Sequence, residues 1–335
     1  MKKILSILLA VAMIATLGLF AFAVDGEGTT ETPTPTDHVT INKIYKTSQD
    51  GIVSPAETFN FVIKGEGVRD AVSGTTVPEF ANGGKFTISY EEGKANVSGT
   101  DDAAKSENVT LPTYTTVGVY TYKVTETAGN TAGVTYDNNT LYFDVTVLQG
   151  KSGLETYVSA PYTDDGKGIP FVNTYSASSL EVSKTVTGNA GQRDRYFNIN
   201  VNFTGADACT TNWNLVTVSG GSNEDNPTAI TEAGLYTFQL KHGETVTFAN
   251  LPYGVTYEVT EDDYEADGYD EADIQFLDSA KTINTVAADT VNVVNNKEVG
   301  VSTGVVLGSA SALAALALAG VGSAVVLGKK NEVED

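Results

Sequence analysis

The feature that most constrains this chain is a succession of short runs in which apolar and polar residues alternate. Examples are Phe59-Asn60-Phe61-Val62-Ile63, Tyr120-Thr121-Tyr122-Lys123-Val124 and Leu141-Tyr142-Phe143-Asp144-Val145. A strand turns alternate side chains to opposite faces, so a period of two gives one apolar face and one wetted face. Turn-forming residues separate the runs, among them Asp137-Asn138-Asn139 and Leu251-Pro252-Tyr253-Gly254, and no helical periodicity of useful length lies between the two ends. Many short strands at this spacing predict antiparallel β-sandwiches, so the expected fold class is all-β.

The pattern also repeats. Gly118 to Glu126 (GVYTYKVTE) is answered by Gly254 to Glu261 (GVTYEVTE). Each is preceded by a strand bearing a lysine, Val39 to Lys43 and Leu180 to Lys184. Each is followed by an apolar strand ending in asparagine, Ile169 to Asn173 and Val291 to Asn295. Two tandem domains are therefore expected, over residues 38–176 and 177–298.

The ends carry a different signal. Lys2 and Lys3 precede an apolar run from Ile4 to Phe20 and then Ala21-Phe22-Ala23, the order of a secretory signal peptide over residues 1–23. The Thr/Pro stretch that follows reads as an extended linker over residues 24–37 and not as packed structure. Residues 305–328 are uncharged and long enough to cross a bilayer as a helix. Lys329 and Lys330 come next, which favours a cytoplasmic tail over residues 329–335.

Asp and Glu outnumber Lys and Arg by 42 to 20, for a formal net charge of −22. That balance argues against nucleic acid or anionic lipid as a partner. Cys209 is the only cysteine, so an exported chain of this sequence has no internal disulfide. Any covalent stiffening must come from other chemistry.

Six polar residues fall on the apolar phase of their strands. Lys43 follows Val39 and Ile41, Lys184 follows Leu180 and Val182, Glu126 follows Tyr122 and Val124, and Glu261 follows Tyr257 and Val259. Asn173 is in phase with Ile169 and Phe171, and Asn295 with Val291 and Val293. Burying an unpaired ammonium or carboxylate costs several kcal/mol, so such groups neutralise. A desolvated lysine becomes a nucleophilic amine, and a desolvated glutamate keeps its proton and can donate it. Beside an asparagine, that acid polarises the amide carbonyl while the amine attacks, giving a Lys–Asn isopeptide bond and ammonia. Lys46 competes with Lys43 but lies on the opposite phase with Ile44, so Lys43 is preferred.

These motifs resemble a known family. Leu235 to Phe238, Gly243-Glu244 and Leu251 to Tyr264 look like the second domain of two-domain Gram-positive backbone pilins, and Gly118 to Glu126 with Gly133 to Asp137 look like the first. The resemblance implies immunoglobulin-like (CnaB-type) sandwiches, each closed by a self-formed Lys–Asn bond with a Glu as proton shuttle. By position it carries these roles to Lys43, Glu126 and Asn173, and to Lys184, Glu261 and Asn295.

Attachment follows from the same resemblance. Gly300-Val301-Ser302-Thr303-Gly304 is similar to a sortase sorting signal cut between Thr303 and Gly304, although the usual Leu-Pro opening is missing. Lys167, in Asp164-Asp165-Gly166-Lys167-Gly168, stands within one residue of the lysine that accepts the next subunit in the resembling pilins. The implied role is a shaft subunit of a covalently polymerised pilus on a Gram-positive cell surface. Its implied partners are a sortase and identical subunits, with minor pilins and peptidoglycan further along the assembly. The membrane would be met only through the precursor's C-terminal helix.

A conventional enzyme is not expected. There are two histidines, His38 and His242, and neither a Gly-rich phosphate loop nor metal-ligand spacing. No cofactor is expected. Read as a calcium loop from Asp263, the acidic run Asp262 to Asp273 has Gly268 in place but Ile274 where the bidentate Glu belongs, so it reads as a solvated hairpin. Cys209 reads as a small apolar residue. The rival to a shaft subunit is an anchored adhesin that does not polymerise.

Overall fold

The computed structural model describes residues 33–276 and 281–300. The first half forms β1 (His38–Thr47), β2 (Glu57–Arg69), β3 (Lys85–Tyr90), β4 (Ala104–Thr110), β5 (Gly118–Thr127), β6 (Val134–Thr135), β7 (Thr140–Gln149), β8 (Leu154–Val158) and β9 (Phe171–Tyr175). The second forms β10 (Ala177–Thr187), β11 (Phe197–Thr204), β12 (Thr217–Gly220), β13 (Gly234–Leu240), β14 (Thr245–Pro252), β15 (Thr256–Glu261), β16 (Asp273–Phe276) and β17 (Asp289–Asn296). Among the described residues the only helical turns are short 3₁₀ segments, and no helix is long and apolar enough to cross a membrane.

Two sheets face each other in each half. In the first, the order β4-β1-β9-β6 packs on β3-β2-β5-β7-β8; in the second, β12-β14-β10-β17-β16 packs on β13-β11-β15. Alternation decides which side chains meet between them. β1 sends Val39, Ile41 and Tyr45 inward against Phe59 and Phe61 of β2 and Tyr122 of β5. β10 sends Leu180 and Val182 against Val201 of β11 and Val259 of β15.

The first and last strands of each half lie side by side and parallel, whereas the other described strand pairs are antiparallel. Parallel neighbours need a long crossover, and here the crossover is the rest of the domain. Lys43 stands opposite Phe171 and Tyr45 opposite Asn173. Lys184 stands opposite Val293 and Val186 opposite Asn295. In both halves the lysine is therefore paired two residues before the asparagine, on one face.

A single residue, Ser176, separates β9 from β10. Its N–H donates to Gly133 O at 2.8 Å and its carbonyl accepts from Tyr253 N at 3.0 Å. Gly133 has φ of 78°, and a Cβ there would stand 2.5 Å from Ser176 O, so the close approach requires glycine.

Three expectations need correction. The acidic run is not a hairpin, because β15 and β16 belong to opposite sheets and residues 262–272 cross between them. Ile169 is not on the inward phase: the strand begins only at Phe171, after Pro170, and Ile169 is 37% exposed. The linker is packed before it ends, since Thr36 N donates to Thr156 O at 2.9 Å on the edge strand β8, whose outer groups would otherwise lack partners. The signal segment 1–23, Thr303, Gly304, the apolar stretch 305–328 and the tail lie outside the described residues.

Candidate cross-linking sites

In the first half, β1 and the facing strand β5 bring two opposite charges into the core. Lys43 Nζ lies 3.1 Å from Glu126 Oε2, and both side chains are fully buried. The amine also sits 4.4 Å above the centre of the Phe59 ring. Neither Lys43 Nζ nor Glu126 Oε2 finds an aligned hydrogen-bond partner among the described residues. An ammonium with three donors is poorly satisfied there, which favours the neutral amine. Burial pulls Lys43 down to about 8, against the opposing pull of Glu126 and Asp137. Burial also raises Glu126 above the ordinary carboxylate range, a rise that Lys43 and Asn173 only partly offset.

β9 supplies the amide. Asn173 Nδ2 donates to Glu126 Oε1, and Asn173 Oδ1 accepts the backbone N–H of Asp137 at 2.8 Å. The amide nitrogen thus faces the acid, the carbonyl oxygen faces a fixed donor, and the amine stands on the same acid's other oxygen. This geometry can run acyl transfer from Asn173 to Lys43, with Glu126 carrying the proton.

The second half builds the same set on β10, β15 and β17. Lys184 Nζ lies 2.8 Å from Glu261 Oε1, with side-chain exposures of 0% and 1%. It donates to Asn295 Oδ1 and sits 4.5 Å above the Phe197 ring. Burial lowers the Lys184 pKa, with Glu261 opposing. Here the amide oxygen, not its nitrogen, is turned toward the charged pair.

Lys46, the alternative nucleophile, is half-buried on the outer phase and bridges to Asn96. The Lys167 side chain is 75% exposed in the β8–β9 loop, in an ion pair with Asp165 at 2.8 Å. That loop is closed by Thr163 N donating to Lys167 O at 2.9 Å and Gly166 N donating to Thr163 O at 2.8 Å. Cys209 is exposed, contrary to its reading as a small apolar residue. No cluster of His, Cys, Asp or Glu among the described residues could hold a metal ion.

Two residues escaped the sequence reading. Asp137 was legible only as a turn former, because its contribution to Asn173 is a backbone N–H. Asn250, at φ 62° and buried, accepts from Val53 N at 2.9 Å and donates to Val53 O at 3.0 Å and Leu215 O at 3.2 Å, joining the two halves. No periodicity marks a residue whose partners lie across a domain junction.

The chain as a whole is similar to known proteins. Residues 39–176 match a family described as a Spy0128-like isopeptide containing domain, and residues 178–297 match a domain of unknown function. A pilin from Streptococcus pyogenes serotype M1 is 30% identical over 236 residues, which cover 65% of this chain and 69% of that protein. The crystal structure of the major pilin from Streptococcus pyogenes aligns with a TM-score of 0.55 at 24% identity, over 79% of this chain and 100% of the other, a likeness of fold. A glutamate-to-alanine variant of that pilin aligns with a TM-score of 0.54 at 26% identity, over 78% and 99%.

Proposed function

The chain belongs to the Gram-positive backbone pilins, and from that premise we propose that it is the shaft subunit of a covalently polymerised cell-surface pilus, hardened by two self-formed Lys–Asn bonds. The observation that carries the reading is the duplicated triad. In each half a buried lysine and asparagine sit on adjacent parallel strands at the same two-residue offset, with a buried glutamate opposite.

The chemistry balances without any cofactor. The neutral amine of Lys43 attacks Asn173 Cγ, forming the N–C bond. One amine proton passes through Glu126 to Nδ2, the Cγ–Nδ2 bond breaks, and ammonia leaves. Glu126 ends protonated as it began. Lys184, Glu261 and Asn295 follow the same course. The reaction happens once at each triad, so this is not an enzyme with turnover. The immunoglobulin-like, CnaB-type description of both sandwiches fits the strand order and belongs to the same reading.

Polymerisation is assigned to a sortase that joins the Thr303 carbonyl, after release of Gly304, to Lys167 of the next subunit. Exposure of Lys167 on a turn closed by its own hydrogen bonds supports it as the acceptor. Minor pilins and peptidoglycan would then be met at the ends of the shaft.

Co-expression with the cognate sortase tests this. Wall extracts on a denaturing gel should give a ladder, and Lys167→Ala or Thr303→Ala should reduce it to the monomer band. A single band from the wild-type chain in the presence of that sortase would overturn the shaft assignment in favour of an anchored adhesin. A ladder that survives Lys167→Ala would overturn this lysine as acceptor.

A further inference from the structure

Asp137 lies just past the short ladder in which β6 pairs with β9, Val134 opposite Tyr175 and Thr135 opposite Thr174. Continuing that register would set Asp137 opposite Val172. The ladder does not continue. The N–H of Val172 donates instead to the Asp137 carboxylate, 2.7 Å from Oδ2. The carboxylate's other oxygen accepts from Asn139 N at 2.8 Å. With its side chain anchored on both sides, the Asp137 backbone N–H points at Asn173 Oδ1, 2.8 Å away.

We propose that Asp137 activates the first cross-link: its backbone N–H is the oxyanion donor for the Asn173 amide, and its carboxylate is the brace that aims that donor. The inference rests on the reading of Lys43 and Asn173 as a cross-linking pair. When Lys43 Nζ adds to Cγ, the electron pair of the carbonyl moves onto Oδ1. A fixed N–H at that oxygen stabilises the charge as it develops, at no cost of reorganisation, and a single donor of this kind is worth about 10²–10³-fold in rate. Collapse of the adduct restores the carbonyl and expels Nδ2 as ammonia, with the proton relayed from the amine by Glu126.

The carboxylate has a second effect that separates its role from simple packing. The ionisable groups that meet at the reacting amide are Lys43 from β1 and Glu126 from β5; the Tyr90 hydroxyl from β3 donates to Lys43 O at 2.9 Å, and Asp137 adds a negative charge. That charge holds protons on both Lys43 and Glu126. The second triad offers an internal comparison, because there Asn295 Oδ1 meets Lys184 Nζ.

The experiment follows bond formation in the full chain made by cell-free synthesis, quenched in denaturant at intervals, with each cross-linked tryptic peptide quantified by mass spectrometry. Asp137→Ala should slow the Lys43–Asn173 bond about tenfold or more, since it releases the brace, while the Lys184–Asn295 bond forms at the wild-type rate. Asp137→Asn keeps an oxygen for the Val172 N–H but removes the charge. It should form the first bond at a near wild-type maximum, with its pH optimum moved to lower pH. Wild-type rates and an unmoved pH profile in both variants would overturn the role of Asp137. Absence of the Lys43–Asn173 peptide from the wild-type chain would instead overturn the cross-link itself, so the two failures are distinguishable.

Discussion

Burial acts in opposite senses on the two ionisable members of the first triad. It lowers the pKa of Lys43 and raises that of Glu126, and both shifts move the pair toward neutral amine and carboxylic acid. In the first triad the pair titrates as a unit. Below the raised pKa of Glu126 it holds two protons and lacks a nucleophile. Above about 8, where Lys43 gives up its proton, it holds none and lacks an acid for the leaving nitrogen. The rate of ammonia loss should therefore be bell-shaped in pH, with the alkaline limb near 8. A rate that keeps rising through pH 10 would contradict the assignment. Glu126→Gln keeps the shape but not the proton, and its intact mass should fall short of its own sequence mass by one ammonia where wild type falls short by two; Glu261→Gln should do the same.

The same shifts set the stability of a chain that cannot link, such as Asn173→Ala. Glu126 binds its proton more tightly folded than unfolded, so stability falls as pH rises through the carboxylate window. Lys43 binds its proton less tightly folded, so between about 8 and its usual 10.5 the unfolded chain holds more protons and stability rises again. Urea midpoints of Asn173→Ala should pass through a minimum near neutrality. A flat profile would mean that these two groups are not desolvated.

At the scale of strands, each cross-link would tie the first strand of a domain to its last, β1 to β9 and β10 to β17. Lys184 and Asn295 are 111 residues apart in sequence. Closing a loop of that size stabilises by about 5 kcal/mol in the chain-entropy limit. With Lys167 as acceptor, tension along the shaft would reach the second domain through β9 and β10 and leave at β17, so there it would pass through the Lys184–Asn295 bond and bypass the intervening sheets. Glu261→Ala should accordingly lower the melting temperature of the second domain and open it to trypsin while the first stays resistant. Equal resistance of both domains would contradict a stabilising cross-link between Lys184 and Asn295.

This is also the scale at which sequence and structure part company. The triads were legible because a two-residue period is a property of the chain itself, and Lys, Glu and Asn recur in one order on one phase. What the period could not reveal was which strands lie in which sheet. Residues 262–272 look like a hairpin because turn residues link two strands; they cross between sheets because β16 finds its partner in β17. Thr36 looks unpacked because its partner, β8, lies far along the chain. Asp137 was invisible for a further reason: a backbone N–H carries no residue signature.

For the whole molecule, the junction decides how firmly the two domains are held to each other. Ser176 leaves almost no linker, and Asn250 reaches from the second domain to Val53 of the first while also holding Leu215 O. Asn250→Ala would leave Val53 N–H without its partner and place alanine at a left-handed φ, costing about 1–3 kcal/mol at the junction. Asn250→Gly would relieve the backbone part alone. Small-angle scattering should find the alanine variant more broadly distributed in length than wild type, with each domain's melting unchanged. A formal net charge of −22 leaves copies of the chain mutually repulsive and well solvated. The most direct measurement is the intact mass of the recombinant chain from Val39 to Lys297. It should fall short of the sequence mass by two ammonias, one per triad, and a mass equal to that of the sequence would contradict the self-formed cross-links on which the whole reading stands.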